Sequence, residues 1–317
     1  MTLIAEVDRL CPSPPSSPRD IANRILHTTY MGTQNSSKAT RARAKALADE
    51  VGSYHTDLDI DTVTTAVIGV FQVATGRRPM FASKGGTRAE DLALQNIQAR
   101  SRMVLAYLFG QLLPWIRGSG GWLLVLGSSN VDEGLRGYMT KYDCSSADVN
   151  PIGGISKKDL RALLVHCASK YAWPALLTIA AAPPTAELQP NSGEGGEEHT
   201  QTDEDDMGMT YEELSVFGKL RKQERCGPVS MYKKLLTMWT SLSPASVAGK
   251  VQRFFYYYGV NRHKMCTITP AYHAEGYSPD DNRFDLRPFL YDVSWQWQKD
   301  RMERMVGEEE SRERGGG

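Results

Sequence analysis

Strand-like and helix-like segments alternate between residues 28 and 127, and this alternation constrains the fold more than any other feature. TTYM (28–31) is short and rich in strand-forming residues, and SYHTDLDI (53–60) alternates like a strand. Segments 36–52 and 61–75 have helical patterns, and each stops at a glycine. Alternating strands and helices predict an α/β fold with a parallel sheet.

The longest helix signal covers 88–113, where Leu94, Ser101 and Leu108 fall on one face at helical spacing. WLLVLG (122–127) follows as a continuous apolar run, which is typical of a strand buried on both faces. In parallel α/β sheets, ligands bind beyond the carboxyl ends of the strands. The segment after residue 127 is therefore the first place to look for a site.

The ends of the chain and one internal segment differ in composition from the rest. Residues 1–17 contain CPSPPSSP and are expected to be unstructured, with a helix starting at Pro18 after Ser17 as its cap. Residues 190–208 are acidic, rich in glycine and expected to form a mobile loop. Helical segments follow to about 258, and the charged tail 299–317 is expected to be disordered. These boundaries leave 18–298 as the predicted domain.

Charge and cysteine content exclude some classes of protein. The chain has 37 basic and 37 acidic side chains, so a nucleic acid or an anionic membrane is not the expected partner. No run of eighteen apolar residues and no signal-peptide pattern occurs. The five cysteines are scattered, which predicts free thiols in a reducing, cytoplasmic compartment.

The segment 126–161 has the residues that a phosphate site needs. Hydroxyl side chains follow the apolar run, then come carboxylates and two lysines. Mg²⁺ takes one or two carboxylates and completes its shell with water and phosphate oxygens, while lysine supplies a positive charge for phosphate. A solvated surface loop would have a similar composition, and composition alone leaves both interpretations open.

The wording of this segment, GSSNVDEGLRGYMTKYD and ADVNPIGGISK, resembles the NAD⁺ synthetase family, in its animal glutamine-dependent form. Four further segments match the family in order: YMGTQNSS, NIQARSRMVLAY, PTAELQP with TDEDDMGMTYEEL, and NRHKMCTITPAYH followed by DNRFDLRPFLY. The resemblance implies a Rossmann-like ATP-pyrophosphatase domain, also called adenine-nucleotide alpha-hydrolase-like, with a helical C-terminal part. It also implies a ligase that adenylates deamido-NAD⁺ with ATP and Mg²⁺ and then displaces AMP with ammonia.

The resemblance assigns a role to individual residues. The ATP contacts it implies are Ser128, Lys157 and Thr185, and the Mg²⁺ ligand is Glu133. The deamido-NAD⁺ contacts it implies are Asn96, Arg100, Tyr107, Lys141, Asp148, His263 and Lys264.

Simpler roles compete with three of these assignments. Arg100 lies about 60° from Ile97 around the helix and could flank the core. His263 could be an exposed loop residue. Lys157 is predicted in the first turn of a helix, where a cation is unfavourable, so a functional role explains it better. Asp132 and Asp143 are expected to be surface charges.

One defining family element, the ATP loop SGGxDS after the first strand, does not occur in the 317 residues, and neither does a glutaminase domain. The first strand of the sheet is accordingly expected to be missing, with apolar edges left exposed. Losing about four charge-assisted hydrogen bonds, at roughly 1.5–3 kcal/mol each, would weaken ATP binding on the order of 10⁴-fold.

Three interpretations follow. The first is an NAD⁺ synthetase using ammonia or glutamine-derived ammonia, which as this chain is truncated and weakly active or inactive alone. The second is a non-catalytic subunit that binds deamido-NAD⁺ or co-assembles with a full-length enzyme. The third is a different ATP-pyrophosphatase such as GMP synthetase, against which TKYDCSSADVNP and the histidine–lysine pair argue. The family leads us to expect a homo-oligomer.

Overall fold

The computed structural model describes residues 14–190, 202–272, 274–277 and 294–315. The chain forms two compact units that are interleaved in sequence. The first unit comprises Met1–Leu126, Tyr142–Cys144 and Arg161–Asp206, and the second comprises Gly127–Lys141, Ser145–Leu160 and Met207–Gly317. No helix among the described residues is both long enough and apolar enough to cross a membrane.

The first unit contains a parallel pair of strands, β1 (His27–Gly32) and β2 (Tyr54–Asp59). His27 pairs with Tyr54 at one end and Gly32 with Asp59 at the other. The helix between them, α2 (Lys38–Val51), makes the crossover that parallel strands require. Ser37 caps α2, and Gly52 ends it with a φ of 80°, a left-handed conformation that glycine adopts without steric cost. Both predicted strands and the helix between them are confirmed.

The other helices follow in chain order after α1, whose predicted start at Pro18 with Ser17 as its cap is confirmed. They are α1 (Pro18–Ile25), α3 (Asp61–Thr75), α4 (Arg88–Ile116), α5 (Val131–Arg136), α6 (Lys157–Tyr171), α7 (Ala175–Ala181), α8 (Asp203–Met207), α9 (Tyr211–Gly218), α10 (Pro228–Met238), α11 (Pro244–Asn261) and α12 (Gln296–Gly315).

Helix α4 confirms the longest helical prediction. Thr87 and Glu90 form a reciprocal capping box that satisfies free N–H groups at its start. Leu94, Gln98 and Ser101 recur at i, i+4 and i+7 and are buried. The apolar face predicted from spacing does not stay buried along the whole helix, because Leu108 is 47% exposed.

The predicted buried strand at 122–127 is wrong. Residues 122–125 adopt no regular structure, and Trp122 is 76% exposed. The Leu123 N–H donates to the carbonyl of Gly110 in α4 at 2.8 Å, so this segment is bonded to a helix and not to a strand ladder. A strand needs a neighbouring strand to satisfy its backbone, and β1 and β2 are the only named strands in the described part of the chain.

Aromatic side chains form the core of the second unit. Phe217 of α9 stacks on Phe254 of α11 with ring centroids 4.6 Å apart, and Tyr232 and Tyr258 are fully buried in the same cluster. Helix α12 packs on α10 and α11 and buries Met302. The prediction of a disordered tail at 299–317 is therefore wrong for the described residues: the tail is charged, but its methionines at helical spacing lie on one buried face.

Two other predictions about organisation fall partly outside the described residues. Residues 1–13, and 191–201 of the predicted acidic loop, are not among them. At the end of that loop, Asp203–Met207 forms α8, and Asp203 and Met207 are buried.

Candidate functional site

Helix α5 places Glu133 at a defined position in the second unit. The Asn130 side chain accepts the N–H groups of Asp132 and Glu133, both at 3.0 Å. The Glu133 carboxylate in return accepts the Asn130 backbone N–H at 3.2 Å and its side-chain amide at 2.6 Å. This capping box holds Glu133 in the first turn of α5, immediately after the loop that contains the exposed Ser128.

Glu133 is surrounded by groups that complement its charge. Lys157 Nζ lies 3.6 Å from its Oε1, and the Tyr211 hydroxyl donates to the same oxygen at 3.2 Å. The Lys157 ammonium also lies 5.1 Å from the centroid of the Tyr211 ring. The structure therefore brings together the residue predicted to bind Mg²⁺ and a residue predicted to contact the ATP phosphates.

Asp132 keeps this pair in place, and its assignment as a surface charge is wrong. It is 1% exposed, and its carboxylate accepts the Lys157 backbone N–H at 2.9 Å and the Tyr277 hydroxyl at 3.1 Å. Burial raises the pKa of Asp132 to about 6, while these two hydrogen bonds act in the opposite direction. Because Asp132 bonds the first residue of α6, it holds the start of that helix beside α5 and so keeps Lys157 beside Glu133.

The residues around Glu133 fit a metal that arrives with phosphate, not a protein-only metal site. No group of three or more histidine, cysteine, aspartate or glutamate side chains suited to a metal occurs in the described part of the chain. Mg²⁺ needs one or two carboxylates when phosphate and water complete its shell. Glu133 could supply one, whereas the Asp132 carboxylate is buried and already bonded.

A second cluster in the same unit joins three of the residues assigned to deamido-NAD⁺. Lys264 Nζ donates to the carbonyls of Gly137 at 2.8 Å and Met139 at 2.6 Å. The pKa of His263 is lowered, first by burial and then by the charges of Lys141 and Lys264. Partial burial and two neighbouring lysines separate His263 from an ordinary exposed loop histidine. Asp148, also assigned to this ligand, is exposed in the same unit.

In the first unit, α4 aligns Asn96, Arg100 and Tyr107. At 100° per residue, Arg100 lies about 40° and Tyr107 about 20° from Asn96, so the three form a stripe roughly 17 Å long. All three are half-buried, which suits a ligand contact and also the flank of a core. Nearby, Arg102 donates to the Met31 carbonyl at 3.0 Å at the end of β1, and burial lowers its pKa.

The opposite face of α4 carries Gln98, which sequence reasoning missed. Its side-chain oxygen accepts the Thr33 hydroxyl and the Asn35 amide, both at 3.1 Å, from the loop after β1. Its side-chain amide donates to the Leu188 carbonyl at 2.9 Å. Segment 184–188, which includes Thr185, is therefore tied to the carboxyl end of β1. The segment PTAELQP carried a family signal, but nothing local to it identified this partner.

Together, an α/β first unit and a paired carboxylate and lysine at a helix start define the class of protein, an ATP-pyrophosphatase-like nucleotide-binding fold. The NAD synthase family model matches residues 20–235, and the chain belongs to that family. The α/β fold class is confirmed by the crystal structure of a glutamine-dependent NAD⁺ synthetase from Cytophaga hutchinsonii. That chain superposes with a TM-score of 0.66 at 21% identity, over 90% of this chain and 42% of that one.

Curated relatives are much closer in sequence. The human glutamine-dependent NAD⁺ synthetase is 61% identical over 285 residues, which cover 90% of this chain and 40% of the human protein. The enzyme of the same name from Saccharomyces cerevisiae is 56% identical over 295 residues, covering 92% of this chain and 41% of the yeast protein. The chain thus spans about two fifths of the length of these relatives.

Proposed function

We propose that this chain carries the synthetase activity of a glutamine-dependent NAD⁺ synthetase. In this reaction the carboxylate of deamido-NAD⁺ attacks the α-phosphorus of ATP and pyrophosphate leaves. Ammonia, free or derived from glutamine, then attacks the acyl carbon, and AMP leaves as NAD⁺ forms. The observation that carries the proposal is the pairing of Glu133 with Lys157, held by the buried Asp132, inside the region that matches the family.

The charges of this pair suit a Mg²⁺–ATP complex. Glu133 would act as the magnesium ligand, and Lys157, with Ser128 and Thr185, would contact the phosphates of ATP. Without ATP the Glu133 and Lys157 side chains neutralise each other at 3.6 Å. With ATP bound, each would keep a partner of opposite charge, so the site would exchange ion pairs without leaving a charge unpaired.

The second substrate would bind through the two remaining groups. The α4 stripe of Asn96, Arg100 and Tyr107 offers an amide, a guanidinium and an aromatic ring. The cluster of Lys141, His263 and Lys264, with Asp148, offers cations for the dinucleotide phosphates and a carboxylate for a ribose hydroxyl.

The decisive assay uses a chimeric chain, in which the remainder of the human relative, including its ATP loop, is joined to these residues. We expect ammonia-dependent formation of NAD⁺ from deamido-NAD⁺ and ATP. Glu133→Gln should lower turnover about 10²-fold because a metal ligand loses its charge.

Glu213 is a matched control for this substitution. It also occupies the third position of a capping box, with Thr210, it pairs with Lys250 at 2.5 Å, and its side chain is 16% exposed, like that of Glu133. Glu213→Gln should leave turnover within a factor of about three, since it removes the same local contacts without removing a metal ligand. If the two variants lose activity equally, Glu133 acts through the capping box and not through magnesium.

The 317 residues contain no SGGxDS sequence, and we infer that by themselves they bind ATP weakly and have little activity. A non-catalytic subunit that binds deamido-NAD⁺ is the alternative function. Calorimetry on the 317-residue chain distinguishes the two. Tight ATP binding with AMP release would show that it is a complete synthetase, whereas deamido-NAD⁺ binding alone, weakened by Arg100→Ala, would favour the subunit.

We also propose that the chain assembles with copies of itself or with full-length enzyme. Exposed apolar side chains recur at helical spacing along α4, on one stripe: Val104, Leu108, Leu112, Trp115 and Ile116. An exposed stripe of this kind is typical of an interface. Trp115→Glu should lower the mass measured by light scattering, while Trp297→Glu, at another exposed tryptophan, should not. A monomer at micromolar concentration before any substitution would refute assembly.

A further inference from the structure

Glu187 has a backbone conformation that requires an explanation. It lies two residues after Thr185, is 8% exposed, and has a φ of 49°, in the left-handed region that non-glycine residues rarely occupy. Such a conformation persists only where surrounding contacts hold it, and it concentrates near functional sites. The contacts of its carboxylate identify what holds it.

Both carboxylate oxygens of Glu187 bind the start of α2. Glu187 accepts the Ser37 backbone N–H at 3.0 Å, the Ser37 hydroxyl at 2.8 Å and the Thr40 hydroxyl at 2.7 Å. Hydrogen bonds to an ionised carboxylate at these lengths are among the stronger ones in proteins.

Helix α2 lacks a negative charge of its own at this end. Its first turn contains Lys38 and Arg41 and no acidic residue, although the amino end of a helix favours anions. Glu187 supplies that charge from about 150 residues further along the chain. The contact therefore stabilises α2 and holds the segment around Thr185 at the same time.

A second contact prevents this segment from pivoting about Glu187. The next carbonyl, that of Leu188, accepts from Gln98 at 2.9 Å and from Asn35 at 3.3 Å. Segment 184–188 is consequently bonded on one side to the start of α2 and on the other to α4.

From these contacts we infer that Glu187 is a positioning residue for ATP: its carboxylate holds segment 184–188 on the start of α2, so that Thr185 is oriented toward the ATP phosphates. The inference rests on the proposed function, because it takes Thr185 as an ATP contact. It assigns no direct substrate contact to Glu187.

The contact itself is tested by hydrogen–deuterium exchange on the 317-residue chain, without nucleotide. In Glu187→Ala, amides of Ser37 and of 184–188 should exchange about 10-fold faster, because a charge-assisted hydrogen bond is lost. Glu187→Gln keeps the length and one acceptor oxygen, so its exchange should be intermediate. It also serves if the alanine variant does not fold. Unchanged exchange in both variants would overturn the inference.

Glu50 is the matched control, because it caps the start of another helix from a distance. Its two oxygens each accept the Ala175 N–H of α7 at 3.1 Å. Glu50→Ala should speed exchange near Ala175 and leave Ser37 and 184–188 unaffected.

The positioning role is tested by the kinetics of the chimeric chain. Glu187→Ala should raise KM for ATP about 10-fold or more and leave KM for deamido-NAD⁺ nearly unchanged, since misplacing a contact by about 1 Å is costly. Glu187→Gln should recover part of the loss, and Glu50→Ala should match the unsubstituted chain. Glu187→Gly relieves the left-handed strain but removes the carboxylate, so it should resemble alanine.

The outcomes separate this inference from the proposed function. An inactive chimeric chain without any substitution refutes the function. An active one whose KM for ATP is insensitive to Glu187→Ala, or whose two KM values rise equally, refutes the positioning role alone.

Discussion

Two buried tyrosines in the second unit provide a sharp test of the hydrogen bonding around Asp132. Tyr277 and Tyr232 are both fully buried. The Tyr277 hydroxyl donates to the Asp132 carboxylate at 3.1 Å, with Ser215 Oγ also 3.3 Å away. The Tyr232 hydroxyl has no hydrogen-bond partner among the described residues. Replacement by phenylalanine removes one oxygen from each site and leaves the ring, so the two variants differ mainly in the bond lost.

The expected magnitudes follow from that difference. A hydrogen bond to a charged group contributes about 1.5–3 kcal/mol, so Tyr277→Phe should lower the free energy of unfolding by about 2 kcal/mol. Removing a buried hydroxyl that lacks a partner relieves a desolvation cost, so Tyr232→Phe should be neutral or stabilise by up to about 1 kcal/mol.

Urea unfolding of both variants, followed by tryptophan fluorescence and circular dichroism, measures the two changes. Fluorescence reports on the second unit through Trp239 and Trp295, which pack against its core. A cost for Tyr232→Phe equal to or greater than that for Tyr277→Phe would refute the assignment of the stabilising bond to Asp132.

Three further predictions concern particular sites. Gly154→Ala should destabilise by roughly 2–3 kcal/mol in urea unfolding, since an added Cβ would lie 1.8 Å from the Tyr272 carbonyl oxygen; a neutral result would contradict this close approach. Met302→Ala should cost about 2–5 kcal/mol by the same measurement, because this side chain is fully buried beneath α12, whereas a disordered tail would show no effect. Burial raises the pKa of the Cys144 thiol to about 11, so iodoacetamide at pH 8 should alkylate it far more slowly than the exposed Cys266, with the Cys144 rate rising as the pH approaches 11; equal rates by mass spectrometry would refute its burial.

The candidate site was only partly predictable from the sequence. Family motifs pointed to Glu133 and Lys157, and the structure brings these two side chains within 3.6 Å. The roles of Asp132 and Glu187 were missed, because each depends on partners far away in the chain: Tyr277 for Asp132, and Ser37 for Glu187. A carboxylate in a polar loop looks like a surface charge until those partners are known.

Sequence alone determined the elements whose signals are local. The helix α2 begins at its Ser37 cap and ends at Gly52, and the capping box of Thr87 starts α4, because caps and turns act within about four residues. Only the tertiary structure decided how 122–127 is bonded, that the charged tail forms a packed helix, and that Asp132 is buried. Strand pairing and burial are set by residues that are distant in sequence, and no local pattern contains them.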